Sequence, residues 1–185
     1  MAEYYLISQL PSLDGLAENA LLPVTQARFD ELCGQLLNKK ALAELAKITL
    51  NPPRDAEKTA SAVVSQWLEN ERMLRLALAK LRADKMGKHF DCELQSFPAN
   101  ISQAARAAIE IENPMDAEKF LNRFRVELLD NLRPSDAFSL ESVFWYSLKL
   151  KLLDRVRQFD TESGQAAYKN IYQSILNGEN PEVVQ

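Results

Sequence analysis

Apolar residues recur at three- and four-residue spacing through most of this chain and almost nowhere alternate, so the pattern predicts helices and no sheet. Thr25 is placed to cap a helix carrying Phe29, Leu32, Cys33, Leu36 and Leu37, and a short helix near Lys40 to Thr49 packs back on it. Asn51-Pro52-Pro53 cannot continue a helix, because each proline lacks a donor and restricts the residue before it. Asp55 is the expected cap of the longest helix, which runs to about Met86 and stops at Gly87, a rod of roughly 45 Å at about 1.5 Å per residue. His89 to Pro98 is irregular and reads as the main internal connection.

Beyond it, Ser102 opens a helix to Glu110, and Asn113-Pro114 supplies a cap and a first-turn proline for a helix carrying Phe120, Leu121, Phe124, Leu128 and Leu129. Pro134 ends that helix, and Ser139 caps the next. From Leu140 to Val156 apolar residues leave little room for a polar face, so this helix should be enclosed by others. A last helix, about Glu162 to Leu176, places Tyr168, Ile171, Tyr172 and Ile175 on one side. The opening YYLISQL lacks a partner strand and reads as a buried helix or an extended arm. The expected fold is all-α: a helical bundle, or two helical lobes around one long central helix. The lobes are 1–88 and 89–185 if they are distinct, or one continuous domain if they are not.

Charges interrupt the apolar face of the long helix. At about 100° per residue, Val64, Trp67, Leu74, Leu78 and Leu81 form one stripe, and Glu71, Arg75 and Arg82 fall within or beside it. Such charges must find partners or stay wet. Glu71 and Arg75 stand four apart in the favourable order for an ion pair, and Glu127, inside another apolar pattern, is a candidate acceptor for Arg82 or Arg75. The alternative is that all four are surface charges whose long side chains reach water. Trp67 and Trp145 lie on strongly apolar helices, as lobe-packing residues or partner anchors.

With 46% hydrophobic and 26% charged residues and only 5 glycines in 185 residues, the chain has the composition of an ordered globular protein. A net charge of −4 argues against a general nucleic-acid surface, and the basic residues between Arg72 and Lys88 are interleaved with acids. No apolar run approaches the roughly 20 residues of a membrane span, and the N-terminus lacks a signal-peptide pattern. Cys33 and Cys92 have no CxxC partner and read as reduced thiols. With His89 they fit none of the common zinc spacings, so neither metal nor cofactor is expected. His89 is the only histidine, and no GxGxxG or GxxxxGK[ST] loop occurs. Glu69/Glu71 and Glu110/Glu112, each two apart, point in different directions on a helix and form no acid/base pair. The sequence therefore favours a non-enzyme.

Four segments in order, YYLISQLPSL, WLENERMLRLALAKLRADKMGK, NPMDAEKFLNRFRVELLDNL and FSLESVFWYSLKLKLLDRVRQFD, resemble an uncharacterised bacterial family whose genes lie in V-type ATPase operons. The tryptophan-led helix and VFWYSLKLKLLDR are similar, more distantly, to the C-type (or d-type) central-stalk component of the V-type ATPase. The resemblance implies a helical relative of that funnel-shaped component, which sits on the membrane rotor ring and holds the foot of the shaft, without an active site. This chain is shorter than the usual three-lobed form, so at least one lobe is missing or reduced. The implied role is a cytoplasmic, peripheral, non-catalytic subunit or accessory protein of a V-type ATPase, serving ion transport. Its partners would be the rotor ring and central shaft subunits, with membrane association only through the complex. The alternative is a transient assembly factor or regulatory binding module.

Overall fold

The computed structural model describes residues 2–16, 20–51, 59–91, 96–157 and 168–173. Among them all regular structure is helical: α1 (Ala2–Gln9), α2 (Gln26–Leu36), α3 (Lys39–Ala46), α4 (Ala62–Lys85), α5 (Ala99–Glu110), α6 (Pro114–Asn131) and α7 (Leu140–Arg157), with a further helical stretch over 168–173. No described helix is long and apolar enough to cross a membrane.

Local chemistry accounts for most of the ends. Thr25 accepts from the Arg28 amide at 3.2 Å, Asn38 from Ala41 at 2.9 Å, and Asn113 from Met115 at 3.0 Å, with Pro114 in the first turn. Each bond satisfies one of the donors that a helix leaves open at its start. Gly87 has φ of 63°, and Lys88 and Gly87 return their amides to Ala83 and Asp84 at 2.9 and 3.1 Å. That closes α4 in the left-handed manner for which glycine has no Cβ penalty.

The start of the long helix differs from expectation. Ser61 caps it, accepting from Val64 at 3.1 Å, and the Glu141 carboxylate of α7 crosses to the Ser61 hydroxyl (2.7 Å) and the Val63 amide (3.0 Å). An acid from another helix thus sits at the positive end of α4, a contact 80 residues away in sequence that local capping signals do not contain. The helix has 24 residues, about 36 Å rather than 45 Å. The proposed cap Asp55 lies outside the described residues. α5 also begins earlier than Ser102, at Ala99 after Pro98.

Two apolar cores lie along α4. The larger joins α1, α2, α3, the first part of α4, the end of α6 and α7, and includes Leu6, Phe29, Trp67, Leu129 and Leu148. The smaller joins Leu74, Ala77 and Leu78 of α4 to Ile101 and Ala105 of α5 and Leu121 of α6. Both draw on residues from either side of the 88/89 boundary, so packing does not divide there. Residues 143–150 of α7 are all buried, as an enclosed helix requires. Trp145 meets Leu129 and Arg155 meets Glu118, so α6 runs antiparallel to α7. In the stretch 168–173, Tyr168, Ile171 and Tyr172 are exposed; the rest of the helix expected over 162–176 lies outside the described residues.

Candidate functional site

The charge on the apolar face of α4 is buried. Glu71 is 2% exposed, and its Oε1 accepts from Arg75 Nε at 2.8 Å and Arg125 Nη2 at 3.2 Å, while Oε2 accepts from Arg125 Nε at 3.0 Å. Arg125 comes from α6 and is 6% exposed. Its Nη1 donates to Glu118 Oε1 at 3.0 Å and Asn122 Oδ1 at 3.1 Å. Arg155 of α7 donates from Nη2 to the same Glu118 oxygen at 2.8 Å. The circuit closes at Asn51, whose Oδ1 accepts from Arg75 Nη2 at 2.5 Å and Arg155 Nη1 at 3.5 Å. Three helices and the turn before α4 are thereby joined in one ring of charge-assisted hydrogen bonds.

Burial works against the charged Arg125 guanidinium, but the hydrogen bonds and charges of Glu71 and Glu118 outweigh it, so its pKa is raised above the ordinary arginine value. A guanidinium with five fixed donors suits this place better than an ammonium. Both oxygens of Glu71 are occupied by guanidiniums, so the carboxylate is a tie between helices and presents no free base.

Of the four charges singled out in the sequence, Glu71 and Arg75 meet and the other two do not join them. Arg82 and Glu127 are exposed, and neither has an ion-pair partner among the described residues. Arg82 shares the α4 face of Arg75 but lies 11 positions beyond Glu71, about 16 Å along the axis, past the level of Arg125. Glu127 is two residues from Arg125 and therefore points about 200° away from it. The residue that completes the tie, Arg125, shares the buried face of Leu121, Leu128 and Leu129. The rule that singled out Glu71, a charge interrupting an apolar stripe, would have found it.

Trp67 and Trp145 are both buried in the larger core, which leaves the partner-anchor reading without a surface to stand on. Trp145 Nε1 donates to the Leu129 carbonyl at 2.7 Å, and the Arg133 and Lys149 cations each lie 4.9 Å from its ring centroid. Lys149 is itself buried and bonds Asp14 at 2.8 Å and Asp130 at 2.7 Å, tying α7 to α6 and to the turn after α1. Nothing in local spacing announces this second tie, since its partners stand 135 and 19 residues away.

The Lys149 hydrogen bond holds the Asp14 carboxyl below its ordinary pKa, with burial opposing and Arg133 assisting. A folded pKa below the unfolded one contributes stability that is present above the unfolded value, about 3.9 for aspartate, and is lost as pH falls through the folded value. Asp14→Asn should therefore be less stable than the parent at neutral pH, and the gap should close on acidification below about 4. Urea unfolding at stepped pH measures this; a gap independent of pH would show that the pair contributes nothing through ionisation.

Burial, with the nearby Asp30 charge, pushes the Cys33 thiol up to about 12, which makes it a core residue and a poor ligand. His89 is exposed beside Asp91, 3.5 Å away, and Cys92 lies outside the described residues. Among the described residues no three His, Cys, Asp or Glu side chains are grouped to hold a metal ion.

Residues 99–179 match a family model described as a protein of unknown function (DUF2764). The match takes in α5, α6 and α7, and with them Glu118, Arg125, Lys149 and Arg155, but not Glu71 or Trp67. No curated protein and no solved structure matches the chain.

Proposed function

We propose that this chain is a non-catalytic subunit or accessory protein of a V-type ATPase, an adaptor between the membrane rotor ring and the central shaft at the cytoplasmic face of the membrane. The observation that carries the reading is the closed ring joining α4, α6, α7 and the turn at Asn51. Apolar packing is non-directional and lets helices slide with little change in buried area, whereas bidentate guanidinium–carboxylate bonds fix register and orientation. A body tied in this way resists shear, which an adaptor under torque needs. The two motifs that resemble the central-stalk family fall on α4 and α7, two of the three helices that the ring ties.

The test is affinity purification of the tagged protein from its native membranes in mild detergent, with quantitative mass spectrometry. Ring and shaft subunits should be recovered at a constant ratio that survives salt washing. Substoichiometric recovery lost on washing would identify a transient assembly factor, and absence of both would overturn the proposal.

A further inference from the structure

The ring is not electrically closed. Among the described residues, Arg75, Arg125 and Arg155 face Glu71 and Glu118 alone, which leaves one positive charge over. The excess lies at the outer edge, where Arg75 and Arg155 are 41% and 27% exposed in their side chains and both point at one neutral amide oxygen, that of the exposed Asn51. Each guanidinium is held from behind, Arg75 by Glu71 and Arg155 by Glu118, so their outer N–H groups are already oriented. One turn earlier on α7, Lys151 donates to the Ile48 carbonyl at 2.6 Å; burial lowers its pKa, with the nearby Asp30 charge opposing, so it does not enlarge the excess.

Two preoriented guanidiniums sharing an uncharged acceptor are poorly matched. The bonds to Asn51 are charge-assisted from the arginine side alone, and a carboxylate in that place would add the missing counter-charge and bidentate geometry. We propose that Arg75 and Arg155, over Asn51, form a docking site for a carboxylate side chain, Asp or Glu, of a protein partner. The single charge left over in the ring fits a monoanion, whereas a phosphate dianion would reverse its sign. An isolated ion pair at a half-exposed position contributes at most about 1 kcal/mol, too little to hold a free small acid, so the carboxylate must arrive on a larger surface. The inference rests on the ring alone and is independent of the identity of the assembly.

Arginine Nε–Hε signals of the 15N-labelled protein, titrated at constant ionic strength, test it directly. N-acetyl-aspartate N-methylamide should move the Arg75 and Arg155 signals saturably but only with a midpoint on the order of hundreds of millimolar, as an isolated half-exposed ion pair allows, and its asparagine counterpart should not. Asn51→Asp puts a carboxylate in the same place and should abolish the response while leaving the fold intact. The proposal is overturned if Asn51→Asp responds as the parent does, if inorganic phosphate saturates the same signals at lower concentration, or if no saturable shift appears. A response seen only in Asp55→Asn/Glu57→Gln protein would equally overturn it, by showing that an acid of the chain itself already occupies the site.

Discussion

Glu71→Leu should lower the stability of the protein by about 3–5 kcal/mol, because it leaves the Arg125 guanidinium buried without its main counter-charge. The arginine cannot escape by losing its proton, since guanidinium stays protonated in proteins. For a chain of this size that loss corresponds to a drop in Tm of roughly 6–20 °C. Urea unfolding followed by circular dichroism measures it. Removing both charges, in Glu71→Leu/Arg125→Met, should recover much of the loss, because well-packed apolar residues replace buried ion pairs at little cost. Arg82→Met, at an exposed position, should stay within about 0.5 kcal/mol of the parent. A Glu71→Leu protein as stable as the parent would show that the ring does not tie the helices, and would remove the main support for a torque-bearing role.

The contrast between Glu71 and Arg125 shows which part of such a structure a sequence can disclose. Thr25, Gly87 and Asn113-Pro114 act within a few residues of themselves, and the helix ends that they predict are the ones observed. The enclosure of α7 follows from its composition alone. Glu71–Arg75 is a spacing along one helix and can be read directly, whereas Glu71–Arg125 spans 54 residues and depends on how α4 and α6 cross. The position of Arg125 on its own buried face is nevertheless legible. Phe120 and Phe124 carry the edge of the α6 stripe to within about 20° of Glu127, which makes that residue a candidate, while Arg125 falls between Leu121 and Leu129, well inside the stripe. The Ser61 cap is hidden for a different reason, since the Glu141 acceptor that completes it belongs to a helix that follows 80 residues later.

Trp67→Ala should cost about 3–5 kcal/mol, the usual range for truncating a large buried aromatic side chain, and Trp67→Phe should cost much less. The difference has a specific cause. Trp67 is 1% exposed at the junction of α4 with the larger core, but its indole N–H has no hydrogen-bond partner among the described residues. Replacing the indole by a phenyl ring removes a buried donor that satisfies nothing, which offsets part of the lost packing. Trp145→Phe should be the more damaging of the two conservative changes, because it breaks the bond to the Leu129 carbonyl and alters the ring beside Arg133 and Lys149. Denaturant midpoints of the three variants measure the order, and a Trp67→Phe protein as unstable as Trp145→Phe would show that the indole nitrogen is paired after all. The same variants separate packing from partner contact. Trp67→Phe leaves the exposed surface unchanged, so it should copurify with the assembly as the parent does, and any loss of binding in Trp67→Ala should track its loss of folded protein.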